Sequence, residues 1–341
     1  MNYIGSKMRL AKSFIVPIVK SVCGNDLSGK IFCDMFAGTG IVGRTFKPLV
    51  QKVIANDIEY YAYVLNKHYI ACSQKLTYGE ELIDELNTLV QNTLSLKTDG
   101  FIYQNYCIGG GSLRQYFSDA NGKKIDTIRS IIEEWQKSGR IDEGIYYFLL
   151  ASLLEATDKV ANTASIYGAY LKHLKKSAQK PLILKPLVCE VDEGSLQLNE
   201  VFNLDASHLI MHTQGDILYL DPPYNTRQYG ANYHILNTIA RYSPFIPQGK
   251  TGLPKYFRSK YCSVFTVKEA CEHLIKNACF KYIFLSYNNE GLLCHDDIKK
   301  IMSAYGRYDV RCTEYQRFKA DANRVNRARS TMEYLHILQK D

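Results

Sequence analysis

Hydrophobic and polar positions change their period several times along this chain. Short apolar runs bounded by turn residues mark buried strands at 30–34, 52–56, 216–220, 281–286 and 332–338. Apolar residues at helical spacing mark helices at 80–94, 130–135 and 144–160. Ile15 and Val19 share a face of the short apolar run 14–19, which reads as a core-facing helix although Pro17 interrupts it. Residues 41–49 can form the helix that follows the first strand and its glycine turn. Strand signals fall before 75 and after 200, and helical ones lie between them. An interruption of that length is too long for a loop. The pattern therefore predicts an α/β domain built from 1–74 and 186–341, with a mainly helical domain, 75–185, inserted into it. A chain of 341 residues can bury two cores.

The strand at 216–220 runs into Asp221-Pro222-Pro223-Tyr224. The two prolines cannot extend a sheet ladder and they stiffen the chain. A carboxylate and an aromatic ring are thus held at the carboxyl end of a strand, where open α/β sheets bind ligands. Such a loop suits methyl transfer to an exocyclic amine, whose lone pair is delocalised into its ring. A carboxylate and a backbone carbonyl that accept the two N–H bonds favour the tetrahedral nitrogen of the transition state. Asp221 and the Pro222 carbonyl suit that role, and Tyr224 offers a face on which an extruded base can stack. The alternative is a proline-rich turn with an aspartate cap.

The run 30–40 reads as a strand followed by a tight turn in which Gly38 and Gly40 allow positive φ and close backbone approach. It is not the G-x-G-x-x-G pyrophosphate fingerprint. The strand at 52–56 ends in Asp57, at the distance where nucleotide folds place the acid that binds ribose hydroxyls. Either piece alone is a turn or a cap. In this order they favour an adenosine-containing ligand.

The motifs D-M-F-A-G-T-G (34–40), A-N-D-I-E (55–59) and D-P-P-Y (221–224) resemble those of S-adenosylmethionine-dependent N6-adenine DNA methyltransferases. N-Y-I-G-S-K-M-R-L (2–10) resembles their N-terminal cofactor motif. The motif order is that of the alpha group, which includes Dam-type enzymes. The runs 221–234 and 286–292 look most like methyltransferases paired with type IIS restriction endonucleases. The resemblance covers nearly the whole chain. It implies a Rossmann-like class I fold, with a mostly parallel seven-stranded sheet, flanking helices and an inserted helical domain that recognises the target DNA. It also implies S-adenosyl-L-methionine as cofactor, S-adenosyl-L-homocysteine as product and no metal. By position, Tyr3 and Lys7 would close over the methionine part of the cofactor, and Asp34, Phe36, Gly38 and Gly40 would cradle it. Asp57 would bind the ribose hydroxyls, with Ile58 against the adenine ring. Asp205 would meet the adenine amine, a helix cap being the alternative. Asp221, Pro222, Pro223 and Tyr224 would form the catalytic loop.

Charge and side-chain type extend this picture towards a polyanion. Lys and Arg outnumber Asp and Glu by 42 to 34, a net +8. Lys172, Lys175 and Lys176, with Lys180, Lys185 and His173, crowd into 170–185 without an acid. They read as a phosphate-binding surface or as a solvated helix end. A second basic stretch holds Arg317, Lys319, Arg324, Arg327 and Arg329 against Asp321 alone. Arg227, Gln228 and Tyr229, just past the D-P-P-Y loop, can read base edges, hold phosphates or stack. His234 is not required as a base, because the amine nitrogen can lose its proton after transfer. Tyr287 can frame the base pocket or be a core tyrosine. The ten cysteines carry no C-x-x-C pair and read as reduced and mostly buried in a cytoplasmic protein. No run is long enough to span a membrane. The partners expected are double-stranded DNA and a cognate restriction endonuclease. The other readings are an RNA adenine methylase, a DNA N4-cytosine methylase, or a non-catalytic DNA-binding subunit. D-P-P-Y argues for adenine over the Ser-Pro-Pro pattern typical of cytosine.

Overall fold

A computed structural model of the chain describes residues 7–72, 76–189, 198–316 and 330–340. Tyr3 and the basic stretch at 317–329 lie outside them. The described residues form two compact units. One comprises 7–72, 198–228, 257–316 and 330–340, and the other 76–189 and 229–256.

The first unit is built on seven strands: β1 Ile31–Asp34, β2 Lys52–Asn56, β3 Glu200–Phe202, β4 Gln214–Leu220, β5 Cys279–Asn288, β6 Arg307–Gln316 and β7 Ser330–Gln339. Their order is β3-β2-β1-β4-β5-β7-β6. The first five are mutually parallel, and β7 runs antiparallel between β5 and β6. The expected mostly parallel seven-stranded sheet with flanking helices is thus the fold. Strand alternation sorts the core into two layers. On β4, Ile217 and Tyr219 face a layer that includes Ile15, Val19, Phe32 and Phe46. Leu218 and Leu220 face the other, with Leu274, Ile275 and Ile301. Both faces are covered by helices, which is why the β4 sequence reads as a nearly continuous apolar run.

The second unit is helical, with its longest helices at Asp119–Lys137 and Glu143–Val160. Ser118 and Asp142 cap them by accepting from the amides of Asn121 and Ile145. The segment 229–256, which the sequence pattern groups with the sheet, packs instead with these helices. Arg129, almost fully buried, donates to the carbonyls of Ile239 and Ala240 at the end of the helix His234–Arg241. Asp126 accepts from the Tyr242 hydroxyl at 2.6 Å and from the amides that open the helix Phe101–Tyr106. Residues 170–185 are irregular rather than helical. Within them Lys172 and Lys176 are exposed, whereas the Lys175 ammonium donates to the Thr163 carbonyl at 2.7 Å.

Among the described residues no helix is long and apolar enough to cross a membrane. The expectation of mostly buried cysteines needs correction. Only Cys33, Cys107, Cys262 and Cys271 are buried, and Cys279, Cys294 and Cys312 are exposed.

Candidate active site

The strand order places β2 on one side of β1 and β4 on the other, so the chain leaves the carboxyl end of β1 at a switch point of the sheet. The residues after β1, β2 and β4 therefore gather on one rim. After β1, the Met35 amide donates to the Tyr219 carbonyl on β4 and the Ala37 amide to the Asn56 carbonyl on β2. The chain then turns back on itself with Gly38 at φ 53° and Gly40 at φ 76°, values that only glycine adopts without strain. Asp34 Oδ2 accepts the Gly43 amide at 3.1 Å, while Oδ1 is buried without a partner. Asp57 accepts the Gly38 amide through Oδ2 at 2.8 Å and the Glu59 amide through Oδ1 at 2.9 Å. Each oxygen keeps a second lone pair for a ligand.

Three buried or half-buried amides that the sequence pattern does not single out hold this rim together. Asn56 donates to the Met35 and Leu204 carbonyls and accepts the Leu204 amide. Asn66 donates to the Gly38 carbonyl at 3.0 Å. Asn203 donates to the carbonyls of Asp57 and Ile58. The one local hint was Asn56, a polar residue closing an apolar strand just before Asp57. Asp205 stands next to them and caps the short helix Ala206–Leu209, accepting the Ser207 amide. Phe36 packs edge-on against Tyr261 with ring centroids 5.0 Å apart. Ile58 is half-buried.

Asp221 follows β4 and is 18% exposed. Its Oδ1 is 3.1 Å from the Lys7 ammonium, which is also 3.5 Å from Glu333 Oε2 on β7. Lys7 is 4% exposed and lies 5.7 Å from the centre of the Tyr224 ring. Lys7 is therefore bound to the carboxylate of the D-P-P-Y loop, a partner the sequence reading did not assign to it. Burial pushes the Asp221 carboxyl up to about 6, although Lys7 pulls it down, and Glu333 adds to the rise. Burial also drags on the Lys7 ammonium, but Asp221 and Glu333 more than offset this and hold it well above the ordinary lysine range. The Asp34 carboxyl rises to about 8, from burial first and then from Asp221. That of Asp57 rises to about 6 by burial, against the pull of its two amide donors. Among the described residues, four acidic side chains on this rim, Asp34, Asp57, Asp221 and Glu333, thus stand with one ammonium, Lys7.

Pro222 is buried and Pro223 half-buried. The Tyr224 carbonyl accepts the Leu292 amide at 3.0 Å, and its ring meets Tyr287 edge-on at 6.2 Å. Tyr287 is both things the sequence allowed. It is a core tyrosine whose hydroxyl accepts the Leu293 amide, and it is the backing of Tyr224. Gly291 explains the glycine of the 286–292 run, since a Cβ there would sit 2.0 Å from Tyr287 Cε1. Beyond Tyr224, Asn225 accepts the Arg227 amide, leaving the Arg227 side chain exposed. Gln228 is tied to Ser259 by a pair of hydrogen bonds. Tyr229 opens the helix Tyr229–Asn232 in the helical unit and stacks on Tyr233 at 6.0 Å. His234 is fully buried in that unit against the Tyr167 carbonyl, and burial lowers it to about 4.

A cradle of positive-φ glycines, an unpartnered buried Asp34 oxygen and an excess of carboxylates fit a cationic ligand with a flexible chain and a ribose. S-adenosyl-L-methionine is such a ligand. Among the described residues no three His, Cys, Asp or Glu side chains converge as a metal site.

Residues 3–301 match the family profile of the D12 class N6 adenine-specific DNA methyltransferases. The chain belongs to this family. Its members transfer the methyl group of S-adenosyl-L-methionine to adenine N6 in DNA. Among similar proteins, the type II methyltransferase M.NlaIII of Neisseria lactamica is 56% identical over 100% of this chain and 99% of its own length. M.CviAII of Paramecium bursaria Chlorella virus 1 is 38% identical over 99% of this chain and 98% of its own. M.FokI of Planomicrobium okeanokoites is 37% identical over the whole chain, which spans 53% of M.FokI. This D12 methyltransferase therefore matches two type II enzymes end to end and half of a third.

Proposed function

We propose that this adenine methyltransferase is the modification enzyme of a restriction-modification system, acting in the cytoplasm without a metal on one target sequence in duplex DNA. The observation that carries the reading is the Asp221 carboxylate held beside the Asp34–Gly40 turn at the switch point of the sheet. The full-length likeness to type II methyltransferases supports the biological setting, and with it a cognate endonuclease as partner.

In this reading the target adenine leaves the duplex and stacks on Tyr224, backed by Tyr287. Asp221 and the Pro222 carbonyl accept the two amine N–H bonds, so the nitrogen lone pair is freed along the line of attack. S-adenosyl-L-methionine supplies the methyl group from its sulfonium. Asp34, Phe36, Gly38 and Gly40 hold its methionine part, and Asp57 and Ile58 its ribose and adenine. Asp205 keeps its capping bond and has a second lone pair for the adenine amine. Lys7 acts on Asp221 rather than over the methionine chain, and Tyr3 remains assigned by motif alone. After transfer the extra proton passes to Asp221 or water. Arg227 and Gln228 line the loop next to this site, and Tyr229 begins the segment beyond it.

The test is direct. Incubation with S-adenosyl-L-methionine and mixed-sequence duplex DNA, digestion to nucleosides and mass spectrometry should show N6-methyladenine. Appearance of N4-methylcytosine, or of product only on RNA, would overturn the substrate assignment.

The inserted helical unit is proposed to read the target, with Lys172 and Lys176 on phosphates. Lys175 is less free to contribute because its ammonium already serves Thr163. Changing Lys172 and Lys176 together to Ala should weaken duplex binding and reduce the slope of log affinity against log salt by about 2. Fluorescence anisotropy across a salt series measures it, and an unchanged slope removes both residues from the interface.

A further inference from the structure

We propose that Glu333, on the last strand of the sheet, is a positioning residue for methyl transfer: through Lys7 it fixes the place and charge of Asp221. The inference rests on the reading of Asp221 as the acceptor of the target amine. Glu333 lies beyond 301, outside the part of the chain that the family profile covers.

The geometry is specific. Glu333 is 5% exposed, and its Oε2 and Asp221 Oδ1 both lie within 3.5 Å of the Lys7 nitrogen. Buried carboxylates are held only where a partner offsets their desolvation. One ammonium shared by two carboxylates cannot satisfy both fully, so each competes for it. Glu333 draws Lys7 away from Asp221 and repels the Asp221 carboxylate. Both effects keep Asp221 a better hydrogen-bond acceptor than a fully paired carboxylate would be. Its place is set from β5. Asn289 donates its amide to the Met332 carbonyl, and its side chain accepts from the Thr331 hydroxyl and the Met332 amide. That clamp fixes the entry of β7, and the next residue, Glu333, then lies opposite Asn288 in the ladder.

Among the described residues, the charged and titratable groups facing Asp221 are Lys7, Glu333, Asp34 and the Tyr219 hydroxyl. Removing Glu333's charge removes a cause that raises the Asp221 pKa and leaves Lys7 wholly to Asp221, so both effects lower it. Removing Lys7 has the opposite sign. The acid limb of kcat/KM reports the free enzyme's essential carboxylate. In Glu333→Gln that limb should move to lower pH by about one unit, with turnover at neutral pH reduced. In Lys7→Met it should move to higher pH. Thermal unfolding and S-adenosyl-L-methionine binding by calorimetry check that each variant is folded. If Glu333→Gln does not fold, Glu333→Asp replaces it. It withdraws the carboxylate by one methylene and should move the limb the same way by less. A folded variant whose limb stays put or moves up overturns the proposal. Asp221→Asn, run in parallel, separates the two readings. If it keeps normal turnover, the Asp221 assignment itself falls, and the Glu333 proposal with it. If it is inactive and the Glu333 limb does not move, only the Glu333 proposal falls.

Discussion

Asp221→Asn should cost this methyltransferase about 10²–10³-fold in kcat, the loss typical of removing one preorganised polar group from a transition state. The asparagine is nearly isosteric, so Pro222, Pro223 and Tyr224 keep their places. It is neutral, however, and its amide presents donors as well as an acceptor towards an amine that needs two acceptors. Two further consequences sharpen the expectation. Lys7 loses the closer of its two carboxylates and keeps Glu333, so the ammonium stays paired and the fold is retained. In the proposed role Asp221 acts only on the flipped base, so duplex affinity should stay near that of the unaltered enzyme. The informative measurement is a single-turnover methylation rate beside an equilibrium duplex titration. A loss that appears mainly in KM would mean that Asp221 binds the target rather than activating it.

Gly40→Ala should cripple cofactor binding. Gly40 sits at φ 76°, where a side chain costs roughly 1–2 kcal/mol. The added Cβ would also stand 2.6 Å from Asn66 Oδ1. Asn66 cannot yield freely, because its amide nitrogen donates to Gly38 and Ala62. Either the turn opens or Asn66 gives up the Gly38 carbonyl, and both outcomes disturb the backbone that is to meet the methionine chain. An affinity loss of tenfold or more, equal to about 1.4 kcal/mol, should appear by calorimetry with S-adenosyl-L-homocysteine, which needs no turnover. Unchanged affinity would mean that the cofactor does not use this turn.

The parts of the site that could be read from the sequence are those whose chemistry is local. The D-P-P-Y loop, the glycine turn and the acid after β2 are each contiguous and each follow an apolar strand. Periodicity therefore places them on one rim. The central strands were legible for the same reason, being buried on both faces. The two edge strands were not. Glu200–Phe202 is only three residues long, and Arg307–Gln316 is largely polar; among the described residues each lies at an edge of the sheet, with a partner strand on one side. What holds the site together was also hidden. Asn66, Asn203, Gly291 and Glu333 gain their meaning from partners far along the chain, or from a ring packed against an absent side chain. A single asparagine or glycine in a sequence carries no sign of that. Lys7 was legible as a motif residue, but its partner was not, since the pairing joins residues 7, 221 and 333. The place of segment 229–256 was not legible because its helices show the same amphipathic pattern wherever they pack; its bonds to Arg129, Asp126, Tyr106 and Tyr167, all distant in sequence, tie it to the helical unit.

The position of β7 between β5 and β6 bears on how the protein is made. Among the described residues β6 pairs with β7 alone, so it leaves the ribosome before that neighbour exists. Until Ser330–Gln339 arrives, β5 presents an open hydrogen-bonding edge and β6 is an unattached polar strand. A chain cut short before β7 would lose two strands of the sheet rather than one, and would expose an edge of the kind that recruits other chains. The same final strand brings Glu333 to Lys7. Synthesis of Ser330–Gln339 would therefore both cover the β5 edge and complete the charge arrangement around Asp221, so a chain lacking it should be unable to modify DNA.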